Sequence, residues 1–241
     1  MSPIRQVPLV HQISDEFRQL IATGQWPVGT RIPGELQLAE ELGVSRGTVR
    51  EALRSLSLTG LLEPRVGDGT YVRATNEITG VLVRDAAAAL TQVLDVRAGL
   101  EAAAARLAAA GGTGEDLTAL AAAARARDAA HEAGDFEAYV AADAAFHRAV
   151  VTAGGNPLLI RLYDAVAEVA AASIEHTATL PEDPRIVDAH TALADAVLGR
   201  DPDAAVGAAY ALIDTVKSGL LQRGSDPQAT GHGTTRDDQR R

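Results

Sequence analysis

The chain has no cysteine, and only one lysine, one tryptophan and three phenylalanines, in 241 residues. Without cysteine there is no disulfide scaffold, no thiolate metal site and no cysteine nucleophile. With aromatics at 3%, any core has to be built from Ala, Leu, Val and Ile. No apolar run reaches the roughly 18 residues that span a bilayer, and the opening MSPIRQVPLV lacks the apolar stretch of a secretion signal. A soluble, cytoplasmic protein with no membrane partner is expected. An excess of basic charge is missing too. The net charge of -10 argues against nonspecific nucleic-acid binding by the protein as a whole.

The charge that is present is uneven. Residues 1–75 hold eight Arg against eight Asp or Glu, whereas residues 76–241 hold fourteen Lys or Arg against twenty-four Asp or Glu. A neutral segment leaves room for a local basic stripe. Texture changes at the same place. Up to about residue 75 the chain is mixed and rich in turn signals. From Val81 it becomes Ala-rich at helical spacing, interrupted at 111–114, 134–135, 154–157, 181–184 and 199–202. These breaks leave helices of bundle length. The division expected is a head domain at 8–75, a linker at 76–81, an all-helical domain of six or seven helices at 82–223, and a disordered tail at 224–241. The fold class is mainly α.

In the head, apolar residues at Ile13, Phe17, Leu20 and Ile21 mark one helix over His11–Thr23. A second, Glu35–Leu42, buries Leu38, Ala39 and Leu42 and stops at Gly43. Ser45 stands where an N-cap belongs, and a third helix runs from Arg46 to about Leu58. Its inward residues are Val49, Ala52, Leu53 and Leu56, and its outward stripe is Arg46, Arg50 and Arg54. Two β-prone runs around Val66-Gly67-Asp68-Gly69 predict a hairpin. Helix, helix, turn, helix, hairpin is the order of a winged helix-turn-helix. A helix that enters a DNA groove needs a buried face, polar groups on its first turn and phosphate contacts at its flanks. Arg46 and Arg50 can reach guanine edges or phosphates, Thr48 either base or backbone, and the hairpin adds Arg65 and Gly67. An Arg stripe by itself is equally a solvated helix face.

The runs Pro33-Gly34-Glu35-Leu36-Gln37-Leu38-Ala39, Leu42-Gly43-Val44-Ser45-Arg46-Gly47-Thr48-Val49-Arg50-Glu51-Ala52-Leu53, Gly60-Leu61-Leu62 and Gly67-Asp68-Gly69-Thr70-Tyr71-Val72 resemble the DNA-binding domain of GntR-family bacterial transcription regulators, nearly continuously over residues 10–73. The resemblance implies DNA contacts from Ser45, Arg46, Thr48, Arg50 and Gly67. Where many members carry Arg or another polar residue in the second helix, this chain has Leu36.

The acidic half is too short for a fused aminotransferase and too helical in spacing for a sheet domain. Leu94-Asp95-Val96-Arg97 with Glu101, Asp143-Ala144-Ala145-Phe146-His147, Gly155-Asn156-Pro157 and Asp188-Ala189-His190 resemble the FadR-type all-helical ligand-binding domain known as FCD, over about residues 82–222. Asp143 and His147, four apart, project from one helix face and suit joint ligation of a divalent metal. His190 could add a third ligand from a later helix. The resemblance implies a further His about 22 residues beyond His190, and that position is Leu212. A three-ligand site for zinc or nickel is the expectation; a simple Asp143–His147 pair, or histidines serving the core, is the alternative. His131 and His176 are weaker candidates. Arg97 and Glu101 share a helix face as a simple i, i+4 ion pair on spacing alone, and the resemblance implies that Arg97 lines an effector cavity where it can fork onto a carboxylate. Asn156 is read first as a helix cap and second as a cavity donor.

The function expected is a transcription repressor that binds palindromic double-stranded operator DNA as a homodimer. A carboxylate or sugar-acid effector in the C-terminal domain would modulate it, and it would not be an enzyme. Alternatives are a metal-responsive regulator without an organic effector, and a metal-dependent hydrolase built on Asp143, His147 and His190, for which no general base or nucleophile motif is evident.

Overall fold

A computed structural model describes residues 8–85, 90–174 and 184–224. His176 and the tail from 225 onward lie outside them. The described chain is mainly helical, with a single two-stranded sheet among the described residues. Two compact units emerge, one of residues 1–97 and 157–178, the other of 98–156 and 179–241.

The first unit opens with α1 (Leu9–Ala22), α2 (Glu35–Leu42) and α3 (Arg46–Leu58). The α2 and α3 bounds are those read from the sequence. Ile13, Phe17 and Ile21 of α1 pack with Leu38 and Ala39 of α2 and with Val49, Ala52, Leu53 and Leu56 of α3. Leu20 and Leu42 are only half-buried against this core. A part-buried Ser14–Ser55 hydroxyl pair at 3.1 Å ties α1 to α3, and the rings of Phe17 and Trp26 lie 5.1 Å apart. β1 (Leu62–Arg65) and β2 (Gly69–Val72) pair antiparallel, Leu62 opposite Val72 and Arg65 opposite Gly69. Residues 29–32 extend this ribbon: the amides of Gly29 and Ile32 donate to Val72 and Thr70, and that of Val72 donates to Thr30.

The stretch expected as a linker, 76–81, is where α4 (Glu77–Asp85) begins. The physical reason is Asn76. Its side-chain oxygen accepts from the Thr79 amide at 3.0 Å, an N-cap followed by a helical turn. In the same unit Glu168 of α8 (Pro157–Ile174) accepts from the Thr75 amide at 3.1 Å and from the hydroxyls of Thr75 and Thr79. The close of α3 meets α4 backbone to backbone. A methyl group at Gly60, whose φ is +80°, would run into the carbonyl of Gly80.

The second unit contains the C-terminal part of α5 (Leu90–Gly111), then α6 (Gly114–Ala133), α7 (Phe136–Ala153), α9 (Pro184–Leu198) and α10 (Pro202–Gly224). The turn signals at 111–114, 134–135, 154–157 and 199–202 separate helices as expected, and several are capped by side chains; the signal at 181–184 lies largely outside the described residues. Thr113 and Asp116 form a reciprocal capping box on α6, and Asp135 and Asp201 accept from the third amides of α7 and α10. Alanines of α5 at 102, 105, 108 and 109 share a core with Leu120, Phe146, Val150, Leu193, Val197 and Leu212. Small residues bring backbones close. A side chain at Gly154 would strike the backbone of Ala104.

Candidate functional site

Two groups of residues carry chemistry. The first is the exposed side of α3. Its entry is fixed locally: the Ser45 hydroxyl accepts from the Thr48 amide at 3.1 Å and shares a 2.8 Å hydrogen bond with the Thr48 hydroxyl. With Val49, Ala52 and Leu56 completely buried, the helix cannot roll, so Arg46, Arg50 and Arg54 face solvent. The three are not equivalent. Arg50 donates from Nε and Nη2 to both carboxylate oxygens of Glu35 at 2.7–3.1 Å, across to the first turn of α2. That hydrogen bond is the main reason the Glu35 carboxyl sits below its ordinary value. Among the described residues Arg46 and Arg54 make no ion pair. Leu36 is exposed on the neighbouring turn of α2.

The wing is ordered by its own side chains. The Arg65 guanidinium stacks over the Tyr71 ring at 4.0 Å and reaches Glu63 at 3.3 Å, while the Tyr71 hydroxyl donates to Asp68 at 2.9 Å. Val66 at the tip is wholly exposed and Gly67 follows it at φ +77°. Gly69 has φ +139°, and the Arg31 guanidinium lies where a Cβ would be. Thus Arg31, Arg65 and the wing glycines share one edge of the head, and Ser45, Arg46, Thr48 and Arg50 share α3.

The second group is in the helical unit. Asp143 and His147 of α7 meet His190 of α9, with one ligand atom from each all within 4.8 Å of one another. His190 Nε2 lies 3.1 Å from both His147 Nε2 and Asp143 Oδ1, and His147 Nε2 is 3.7 Å from Asp143 Oδ2. Both imidazoles are turned by their far nitrogens. His190 Nδ1 donates to the Ile186 carbonyl at 2.7 Å, since a carbonyl can only accept, and His147 Nδ1 pairs with Glu101 Oε2 at 2.8 Å. Both Nε2 atoms therefore turn toward each other and toward the Asp143 carboxylate, a geometry in which a proton on a ring nitrogen or a cation can be shared among the three. Phe146 packs edge-on to both rings at 5.4 Å.

Asp143 is ionised in this setting. Burial opposes its charge, but His147, then His190, then the Arg127 guanidinium outweigh that and hold its carboxyl well below the usual carboxylate range. Arg127 of α6 is itself 1% exposed. It donates from Nε to Asp143 Oδ1 at 2.8 Å and from Nη2 to the Tyr139 hydroxyl. A cavity of about 180 Å³ between α6, α7 and α9 is lined by Arg125, Arg127, Asp128, Phe146, His190 and Thr191.

Sequence reasoning missed two members of this site. Glu101, read only as a neighbour of Arg97, is completely buried and carries its carboxylate to His147. Arg127 was not singled out. The signal was available in both cases as a charge on an inward helix face: Glu101 beside Ala98, Ala102 and Ala105, and Arg127 in register with Leu120 and Ala124. Leu212, at the place of the absent histidine, is completely buried in the core. Arg97 is half-buried on α5 in the first unit, Asn156 is exposed just ahead of α8, and His131 is exposed with its ring 5.7 Å from Tyr139.

Comparison with known proteins agrees with both halves. Residues 9–72 match the bacterial regulatory proteins of the gntR family, and residues 92–215 match the FCD domain. The galactonate operon transcriptional repressor of Escherichia coli strain K12 is 33% identical over 204 residues, covering 80% of this chain and 88% of that one. The probable D-xylose utilization operon transcriptional repressor of Paenarthrobacter nicotinovorans is 32% identical over 203 residues, 84% of each. The Glc operon transcriptional activator of E. coli strain K12 is 31% identical over 238 residues, 93% and 92% of the two chains. Among solved structures, Streptococcus agalactiae GntR aligns with a TM-score of 0.53 at 29% identity over 88% of this chain and all of that one. No helix among the described residues is long and apolar enough to cross a membrane.

Proposed function

The chain belongs to the gntR family of bacterial regulatory proteins, with an FCD domain as its second half, and from that premise we propose a cytoplasmic repressor that grips a palindromic operator as a homodimer and lets go when a small carboxylate or sugar acid binds the helical half. The family is one of transcription regulators, not enzymes, which sets the hydrolase alternative aside. The observation that carries the proposal is α3: a capped first turn, a fully buried inner face and an arginine stripe left in solvent. Such a helix can lie in a major groove with Arg46, Thr48 and Arg50 at base edges or phosphates, Ser45 at its entry, and Arg65 and Gly67 of the wing at the flank. One helix offers little specificity, so two heads on two half-sites are required. Among the relatives, two are named repressors and one an activator; repression is the sign proposed here. The test is a gel shift on duplex selected from a random pool. Arg46→Ala and Arg50→Ala should each abolish specific binding while sedimentation still reports a dimer. Unchanged affinity in both variants would falsify the proposal for α3.

In the helical half, Asp143, His147 and His190 are proposed to hold a divalent metal, zinc or nickel. The donor set supports this: two imidazole nitrogens and an ionised carboxylate converge, each imidazole oriented from behind by an acceptor. When bound, the metal would supply a Lewis-acidic anchor for an anion in place of the absent histidine at Leu212. Arg97, and secondarily Asn156, are proposed to take the rest of the effector carboxylate. Effector binding couples to DNA only if it favours one spacing of the two heads. Titrating zinc or nickel against operator affinity, with chelated protein as control and with and without organic acids, separates effector sensing from metal sensing alone.

A further inference from the structure

The Glu35–Arg50 pair has a consequence for how the operator is read, and the inference rests on the placement of α3 proposed above. Arginine carries five N–H donors in one plane. Glu35 takes the Nε proton and one Nη2 proton, using one edge of the fork. The edge between Nη1 and Nη2 stays available, and the Arg50 side chain remains 58% exposed despite the pair. The carboxylate comes from the first turn of α2, and both helices are locked into one apolar core through Leu38, Ala39, Val49 and Leu53. The guanidinium plane is thus fixed relative to the axis of α3 before any DNA arrives.

A held, end-on arginine fork matches one base better than any other. Guanine presents O6 and N7 as adjacent acceptors in the major groove, whereas adenine sets a donor beside N7, and the cytosine and thymine edges offer no such pair. A phosphate also takes the arginine fork bidentately, but from many directions, so a fixed plane adds less to that contact than to one with guanine. We propose that Glu35 is a positioning residue that turns Arg50 into a guanine reader, and that each operator half-site carries a G·C pair under Arg50. Glu35 itself touches no base.

The test uses the full-length protein and a selection from random-sequence duplex, with wild type, Arg50→Ala, Arg50→Lys, Glu35→Gln and Glu35→Ala. Wild type should select one invariant guanine per half-site. Replacing that base by 7-deazaguanine, which lacks the N7 acceptor, should weaken wild type by about tenfold, and should not change the residual, unselective binding left to Arg50→Ala. Glu35→Gln and Glu35→Ala should retain binding but relax the choice at that single position, and Arg50→Lys should do the same, while preferences elsewhere persist. Circular dichroism confirms that each variant is folded. If the Glu35 variants tighten binding to all duplexes alike with the guanine preference intact, Glu35 only competes with phosphate and the proposal is overturned. Relaxation at every position alike overturns it too. If instead Arg50→Ala changes neither affinity nor selection, it is the placement of α3 that fails, a result distinct from either.

Discussion

The two halves of the molecule each pair an arginine with a carboxylate, to opposite effect. In the head, Arg50 and Glu35 meet at the surface. In the helical unit, Arg127 at 1% exposure meets Asp143 beside two buried histidines. An exposed pair gains little stability, because water solvates either partner once the other is gone. A buried pair is different: removing one partner strands the other's charge in a poorly solvated interior. The first pair can therefore serve recognition, with geometry as its product, while the second ties α6 to α7. What the head puts in solvent to be read by a partner, the helical unit hides around a cluster.

The sharpest way to test that contrast is to delete both arginines separately. Arg127→Ala should lower stability by roughly 3–5 kcal/mol in urea unfolding followed by circular dichroism. Arg50→Ala should leave the midpoint where it is. Equal effects would erase the distinction. Next in size is Gly60→Ala, which forces a methyl against the Gly80 carbonyl at a positive φ. It should cost roughly 1–3 kcal/mol. The single tryptophan, Trp26, packs on Phe17 in the head core, so its fluorescence reports that loss locally. Smaller again is Ser45→Ala, which removes the α3 cap and should cost about 1 kcal/mol by the same fluorescence readout.

The smallest effect is a titration. Arg50 lowers the Glu35 pKa, so the stabilisation from that pair is complete above the unfolded-state value of glutamate. It is lost as the pH falls through the lower folded-state value. NMR should place the Glu35 midpoint below that of an ordinary glutamate in wild type and move it upward in Arg50→Ala. No movement would mean that the pair does not persist in solution.

How legible these halves were follows the same division. The head is written locally. The spacing of Leu38, Ala39, Val49, Ala52 and Leu56, the Gly43 stop and the Ser45 cap lie within a few residues of one another, so α2 and α3 were readable to their ends. The Asn76 cap on α4 was equally local and was passed over in favour of a linker. The grouping of Asp143 with His147 was readable because the two share a helix face. Its supporting residues were not, because Glu101 reaches His147 across 46 residues and Arg127 reaches Asp143 across 16. Glu35 shows the same limit inside the head: its partner Arg50 is 15 residues away on another helix.

The absence of cysteine allows the account to be tested at one atom. A single cysteine placed at Arg54→Cys, on the outward stripe of α3, can carry an iron-EDTA cleavage reagent, and a second variant, Phe136→Cys, places it on the exposed start of α7. On a selected operator, the α3 reagent should cut the duplex at two places related by the operator's symmetry, and the α7 reagent should not cut there. Bound duplex left intact by the α3 reagent, or cut from α7 instead, would contradict the claim that this helix is the one that meets DNA.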